Sequence, residues 1–259
     1  MRNKEFSLNN LYINKYPPSR ELSLFIDTYW VIANNSNESV NLPIVPDGCM
    51  DIIYVKHTNT EDIVLCGAMD KSIIIPIESQ DYHFGIRFKP SILSFLLNQR
   101  CDQFTNKIIS IRDVSLAIFN QLNFEEANET LKVKKLNSIF EKLFIPIQIN
   151  QNIILCINRI LGSKGTVLIR ELVNDSSLNH KQIERKFLRH VGFSPKKFAR
   201  IIRFFNAHKS LIQNGIGNLT STAYELGYTD QPHFNKDYKT FTQMSPTDKK
   251  MSIFYNTNK

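Results

Sequence analysis

The chain has 259 residues, of which 42% are hydrophobic and 22% charged, and its formal net charge is +8. These proportions are ordinary for globular proteins and exclude wholesale disorder and a fibrous fold. No stretch approaches the ~20 apolar residues that span a bilayer, and the first ten residues, MRNKEFSLNN, lack the apolar core of a signal peptide. We therefore expect a cytoplasmic protein of about two domains, with no membrane partner.

The positive charge is concentrated in the second half of the chain. Residues 1–150 carry 15 Lys and Arg against 17 Asp and Glu, whereas residues 151–259 carry 17 against 7. Because phosphates exchange condensed counterions for Lys and Arg, this asymmetry points to a polyanionic partner for the second half. The alternative is a solvated basic surface, since charge governs solubility and association but not fold.

The first third of the chain alternates short β-type runs with turn-forming residues. The runs lie at 29–33, 51–56, 63–66, 72–77 and 83–88. The clearest turn is Pro46-Asp47-Gly48, in which proline presets φ and glycine accepts a positive φ. This pattern predicts a small, mostly antiparallel β unit. The four cysteines are far apart and form no Cys-x-x-Cys pair, so we expect reduced core residues.

Helical spacing replaces the β pattern after Pro90. The longest segment, 127–144, has an apolar residue at every third or fourth position. Its remaining face is occupied by charged residues, namely Lys132, Lys134, Lys135, Glu141 and Lys142. The apolar stripe suits either packing on the β unit or a dimer seam. The first domain is expected to cover residues 1–145.

The segment from Pro146 to Asn152 predicts a boundary, and residues 152–256 have helical patterns throughout. Ser194-Pro195 is typical of a helix start, because proline at the first helical position loses no hydrogen bond. The helix that follows is predicted to run to Gln213 and to stop at Asn214-Gly215.

A helix-turn-helix pattern precedes this long helix. Residues 167–174 and 179–191 are the predicted helices, separated by a short turn. In the second of them the inward residues are apolar, and the opposite face carries His180, Lys181, Glu184 and Arg185. Such donors and acceptors are what a DNA groove would meet.

The same arrangement recurs after the long helix. Predicted helices at 219–226 and 231–241 flank a turn that is one residue longer than in the first copy. The outer or partner face of the later helix carries Gln231, His233, Asn235 and Lys236. RKFLRHVGFSP from Arg185 matches KDYKTFTQMSP from Lys236, 51 positions later. Two such units joined by a long helix can place their recognition helices in successive major grooves, about 34 Å apart.

The stretches IRELVNDSSLNHKQIERKFLRHVGFSP and STAYELGYTDQPHFNKDYKTFTQMSP resemble the DNA-binding domain of the AraC/XylS family of transcriptional regulators. The resemblance covers about residues 152–256. Its most specific positions are Ala223, Gly227, Tyr228, Phe234, Tyr238, Ser245 and Pro246. The sequence departs from the family pattern at Gln243, where glycine is usual, and at Val173, where alanine is usual.

The resemblance implies which side chains face DNA. The base-facing positions correspond to Lys181, Glu184, Arg185, Gln231, Pro232, His233 and Lys236. Arg185 could pair with guanine, Glu184 could accept from cytosine and Gln231 could bracket adenine. Phosphate contacts are expected from the start of the long helix, at Lys196, Lys197, Arg200 and Arg203. A solvated helix face is the alternative for these four cations.

The N-terminal stretches LPIVPDGCMDIIY, CGA and GIRFKPSILSFLL resemble the β-rich sensor or dimerisation module of some family members. The implied fold class is α+β. It consists of a small β-rich, cupin-like unit with appended helices, followed by an all-α domain of two helix-turn-helix units joined by a long helix. A cupin metal site needs a histidine cluster, and this half has only His57 and His83, so no metal and no cofactor are predicted.

Arg87 alternates out of phase with its apolar neighbours and, with His83 and Asp47, forms a candidate effector pocket. These residues together with Cys49 and Asp51 include the side-chain types of a catalytic group, but no spacing brings them together. We therefore predict no catalytic residue and no enzymatic activity.

The predicted function is sequence-specific DNA-binding transcriptional regulation, as an activator by family habit. The expected partners are double-stranded DNA, RNA polymerase and a small-molecule effector, with homodimer and monomer both left open. The alternative is a DNA-binding module fused to a small enzyme-like or purely dimerising N-terminal domain.

Overall fold

The computed structural model describes residues 6–8, 11–214 and 219–248. Its N-terminal half is built on a seven-stranded antiparallel sheet with the strand order β1-β2-β3-β8-β5-β6-β9, and β4 and β7 form a separate ribbon. The strands are β1 (Phe6–Leu8), β2 (Leu11–Tyr16), β3 (Ile26–Asn34), β4 (Val40–Ile44), β5 (Met50–Lys56), β6 (Glu61–Cys66), β7 (Ile73–Ile77), β8 (Tyr82–Phe88) and β9 (Ile108–Ser110).

The two faces of the large sheet have different coverings. Along β8, Phe84, Ile86 and Phe88 are fully buried on one face, whereas Gly85 and Arg87 lie on the other. The β4–β7 ribbon packs Leu42 and Ile77 against Leu11 in a small second cluster of buried residues. All five predicted strands are present, and the prediction missed four others, namely β1, β2, β4 and β9.

Ten α-helices follow in the described part of the chain. They are α1 (Ile92–Leu97), α2 (Ile111–Val114), α3 (Leu116–Phe119), α4 (Glu129–Phe144), α5 (Gln151–Gly162), α6 (Ile169–Asp175), α7 (His180–Val191), α8 (Pro195–Asn214), α9 (Leu219–Glu225) and α10 (Gln231–Thr242). None of them is both long enough and apolar enough to cross a membrane. The predicted α+β architecture, β-rich first and all-helical second, is confirmed.

The apolar stripe of α4 packs within its own chain. The Phe140 ring lies 5.4 Å from that of Phe88, and Phe144 stacks on Phe25 at 4.4 Å. This packing within the chain explains the apolar stripe of α4, so the stripe by itself does not indicate a dimer seam. The prediction that Lys132 lies on the charged outer face was wrong, because its side chain is buried and its Nζ lies 3.1 Å from the Tyr82 hydroxyl.

The internal repeat is visible in the helix boundaries. Helices α7 and α10 begin and end 51 residues apart, and α6 and α9 begin and end 50 apart, which confirms the extra turn residue in the second copy. Asn179 caps α7 and Asp230 caps α10 at equivalent positions. The buried residues of α7 also recur, since Phe187 corresponds to Tyr238.

Buried side chains of the two halves join in one continuous hydrophobic cluster. The domain limits at 145 and 152 therefore stay a prediction. The predicted stop at Gly215 lies outside the described residues. All four cysteines are unpaired, and burial raises the pKa of Cys66 and of Cys101 to about 12.

The two recognition helices end in the same left-handed conformation, at Gly192 with φ 90° and at Gln243 with φ 64°. We expect Gln243→Gly to raise the free energy of unfolding by about 1 kcal/mol, because glycine pays no Cβ penalty there. Gly192→Ala should lower it by at least as much, since the added Cβ would lie 2.5 Å from Thr105 Oγ1. Urea unfolding followed by circular dichroism measures both.

Gly162→Ala is the matched control, because a Cβ at that helical position meets no atom within 4 Å. It should leave stability unchanged or raise it. A similar loss in the Gly162 and Gly192 variants would contradict the special role of the left-handed position.

Candidate nucleic-acid interface

The first recognition helix, α7, starts at a complete capping box. Asn179 Oδ1 accepts from the Gln182 amide at 3.0 Å, and Gln182 Oε1 accepts from the Asn179 amide at 2.9 Å. This exchange satisfies two of the free N–H groups at the helix start. Ile183 and Phe187 are fully buried, which fixes the rotation of α7 about its axis.

That rotation leaves the predicted outer face of α7 accessible. His180, Lys181 and Arg185 are exposed and Glu184 is half-buried. Three potential donors and one acceptor therefore lie on the face of a helix whose first turn is free to enter a groove. The DNA contacts themselves stay a prediction.

The outer face of α10 is less free than that of α7. Gln231 Oε1 accepts from Thr220 Oγ1 at 2.7 Å, and the His233 ring lies edge-on to Tyr228 at 5.3 Å. Asn235 is half-buried, whereas Pro232 and Lys236 are exposed. Of the five predicted residues on this helix, two are thus tied to their own helix-turn-helix unit.

Three of the four predicted phosphate contacts have partners inside the protein. Lys197 Nζ lies 3.2 Å from Asp70, Arg200 donates to Asp237 at 2.7 Å, and Arg203 donates to the Gly165 carbonyl at 2.8 Å. Lys196 is exposed. For these three cations, pairing inside the protein is a third role, besides contact with phosphate and exposure on a solvated helix face.

The Arg200–Asp237 pair joins the long helix α8 to the second recognition helix. Asp237 is buried on the inner face of α10, between Phe234 and Tyr238. Asp237 was not among the predicted residues, although an acidic residue in the apolar phase of a helix signals that an internal cation is needed.

The last turn of α7 docks on the N-terminal half. His190 Nδ1 lies 2.7 Å from Ser94 Oγ, and the His190 ring stacks on Phe95 with 4.5 Å between centroids. Thr105 Oγ1 donates to the Gly192 carbonyl at 3.1 Å. The same helix that presents Arg185 outward is therefore bound to α1 at its other end.

A cleft of about 680 Å³ opens beside this contact. Its lining comes from the N-terminal half, from the segment before α5 and from α7, namely Ser94, Phe95, Asn98, Arg100, Pro146, Ile147, Gln148, Asn150, Arg185, Lys186, Arg189 and His190. Four of these residues carry a positive charge, namely Arg100, which is paired with Asp102, and Arg185, Lys186 and Arg189, and no residue of the lining carries a carboxylate. The cleft is suited to an anion.

The candidate effector residues separate into two places. Arg87 forms ion pairs with Asp47 at 2.8 Å and with Asp51 at 3.1 Å, and Trp30 Nε1 donates to the same Asp51 carboxylate at 2.8 Å. Burial raises the pKa of Asp51, and the Arg87 charge offsets part of this rise. The Arg87 charge is thus balanced internally.

His83 lies four residues away along β8 and does not join the Arg87 group. Its Nε2 is 3.8 Å from Asp81 Oδ2, and His57 Nδ1 is 2.6 Å from Asp81 Oδ1. The structure therefore brings Asp47, Asp51 and Arg87 together and places His83 in a second cluster, so the predicted grouping of His83 with Arg87 and Asp47 was wrong.

Two family models match the chain. The one described as "Domain of unknown function (DUF6597)" covers residues 14–110, and the one described as "Helix-turn-helix domain" covers 172–250. An uncharacterized HTH-type transcriptional regulator of Haemophilus influenzae is 28% identical over 85 residues. These residues are 33% of this chain and 28% of that protein, so the chain spans less than a third of its relative.

Similar solved structures include a probable AraC family transcriptional regulator from Rhodopseudomonas palustris. It is 23% identical, with a TM-score of 0.34, over 38% of this chain and 93% of that one. ToxT from Vibrio cholerae, solved with a bound unsaturated fatty acid, is 14% identical with a TM-score of 0.41, over 98% of each chain.

The two capped recognition helices, repeated at a fixed offset around a long helix, define a helix-turn-helix module of the transcription-regulator class. This module resembles the DNA-binding domain of the AraC/XylS family of transcriptional regulators.

The docking of His190 makes stability depend on pH. Burial lowers the pKa of His190, and also that of His208, from 6.5 to about 4. Below pH 6.5 the unfolded chain takes up protons that the folded chain does not, so the free energy of unfolding should fall between pH 6.5 and 4. Urea midpoints measured across this range test the expectation.

His190→Gln should flatten part of that decline, because it removes one of the imidazoles whose pKa burial lowers, while an amide can still meet Ser94. Lys181→Gln, an exposed position on the same helix, is the matched control and should keep the wild-type pH dependence. An unchanged decline in the His190 variant would show that other groups cause it.

Proposed function

We propose that the protein is a sequence-specific DNA-binding regulator of transcription that inserts α7 and α10 into the major groove. The observation that carries this proposal is the exposed outer face of α7, with His180, Lys181 and Arg185 on a capped and rigidly oriented helix. The excess of positive charge in residues 151–259 supplies the attraction to phosphates that precedes specific recognition.

The two recognition helices have different chemistry, so the proposed DNA site is asymmetric. Arg185 and Glu184 on α7 suit a G·C pair, as bidentate donor and as acceptor. On α10 the exposed Lys236 can contact bases or phosphate, whereas Gln231 must first release Thr220 before it can bracket an adenine. We expect α7 to contribute more to specificity than α10.

We propose that the protein activates transcription by contacting RNA polymerase near its DNA site, because activation is usual in the family that it resembles. Lys196, which is exposed at the start of α8, remains a proposed phosphate contact. Lys197, Arg200 and Arg203 already have partners inside the protein, so a phosphate contact would use their remaining N–H donors or replace those partners.

We further propose that the N-terminal half regulates DNA binding through the last turn of α7. The cleft beside that turn includes Arg185 and Lys186, so the N-terminal half and DNA approach the same side of the helix. An anionic effector in this cleft would touch both halves at once, and it replaces the Arg87 group as our proposed effector site. A purely dimerising N-terminal half remains the alternative.

We expect the full-length chain to bind selectively to DNA from upstream of its own and neighbouring genes. Arg185→Ala should weaken specific binding by about 1–3 kcal/mol and relax base preference, because a bidentate base contact is lost. Lys236→Ala should also reduce the preference for this DNA over random duplex. Fluorescence anisotropy titrations at several salt concentrations measure these effects.

Lys134→Ala, an exposed cation on α4 in the N-terminal half, is the matched control and should bind as wild type. Equal affinity for the upstream DNA and for random duplex at every salt concentration would contradict the regulator proposal. Under that outcome, the second half of the chain would be a basic helical module without sequence-specific DNA binding.

Phe95→Ala removes the stack on His190 without changing any charge. We expect it to raise DNA affinity several-fold, because α7 is released from the N-terminal half. The dependence of affinity on salt should stay unchanged, since that slope counts phosphate contacts. The same titrations measure both quantities.

Leu131→Ala, which shortens an exposed apolar residue on α4 in the same half, is the control and should leave DNA affinity as in wild type. Unaltered affinity in the Phe95 variant would show that the contact does not restrain DNA binding.

A further inference from the structure

Three potential metal ligands meet at one end of the β-rich half. His57 follows β5, Asp81 precedes β8, and His83 is the second residue of β8. One ligand atom from each lies within 4.8 Å of the other two. Asp47, Asp51 and Arg87 form a separate group and contribute nothing to this cluster.

The carboxylate at the centre of the cluster is held in place by backbone bonds. Asp81 Oδ2 accepts from the Glu78 amide at 2.8 Å, and the Asp81 amide donates to the Glu78 carbonyl at 3.1 Å. The Asn34 amide donates to the Asp81 carbonyl at 2.9 Å. Asp81 is therefore fixed before any ligand arrives, and the Glu78 amide orients it as an outer-shell donor would.

One histidine has an unused nitrogen directed into the cluster. His83 is 8% exposed, and its Nε2 has no hydrogen-bond partner among the described residues. A buried imidazole nitrogen without a partner is costly, and such atoms call for a bound ion or water. His57, by contrast, is half exposed and opens the cluster to solvent.

We infer that His57, Asp81 and His83 form a binding site for a divalent transition-metal ion, with Zn²⁺ as the representative. Two imidazoles and one carboxylate are ligands that such ions accept, and a solvent molecule can fill the open position beside His57. Each ligand atom must move by less than about 1 Å to reach the usual distance of about 2 Å from the metal.

The bound ion would fasten the end of β5 to the turn before β8. The alternative is a hydrogen bond between His57 and Asp81 that involves no metal, which leaves the His83 nitrogen unexplained. This inference does not rest on the proposed DNA-binding function, since every residue in it belongs to the N-terminal half.

The test is titration of chelator-treated full-length protein with Zn²⁺ in a calorimeter, with Co²⁺ absorption as a second readout. We expect one ion per chain, a visible d–d band from Co²⁺, and a thermal midpoint that rises with Zn²⁺ because the ion binds only the folded state. His57→Ala and Asp81→Asn should each weaken binding by more than about 100-fold, since loss of an outer-shell partner already costs 10–100-fold.

His180→Ala, which removes an exposed histidine outside the cluster, is the matched control and should bind as wild type. Circular dichroism establishes whether each variant folds. If Asp81→Asn does not fold, His57→Ala still tests the site, because His57 is exposed. Absence of stoichiometric binding, or binding that His57→Ala leaves unchanged, would overturn the inference.

Discussion

The contact between the last turn of α7 and the N-terminal half governs the arrangement of the rest of the molecule. Gly192 allows the chain to turn there in a left-handed conformation, and the absence of a Cβ lets Thr105 approach its carbonyl. His190 adds a stacked ring and a hydrogen bond to α1. A single helix thus has an outward face for recognition and an end that is bound to the other half.

Internal charge pairing shapes the basic half as much as its net charge does. Arg200 neutralises the buried Asp237 and so ties the long helix to the second recognition helix, while Lys197 reaches Asp70 across the two halves. A buried carboxylate needs a paired cation, so Arg200 is not free in the way that its position on the helix suggests. The cations left for DNA are those that lack such partners, chiefly on α7.

The β-rich half separates its polar groups by sheet position. Strand β8 carries Arg87 near one end, where two carboxylates balance it, and His83 near the other, where it meets Asp81 and His57. Both residues lie on the same face because strand side chains alternate with a period of two. Trp30 lies over Gly85 between them.

The sequence by itself determined the local elements and the repeat. Strands β5 and β8 and helices α7 and α10 follow from hydrophobic periodicity and end signals, since these depend on neighbouring residues only. Five residues on the two recognition helices that were expected to face outward are exposed, namely His180, Lys181, Arg185, Pro232 and Lys236. Strand β4 was not predicted, although it is as long as β7, which was.

Only the tertiary structure decided which distant side chains meet. His190 reaches Ser94 across 96 positions, Arg200 reaches Asp237 across 37, and His57 reaches Asp81 across 24. Spacing along the chain holds no information about such pairs, because they form where packing brings separate elements together. The burial of Lys132 has the same cause, since the aromatic rings that cover it come from β8, about 50 positions earlier in the chain.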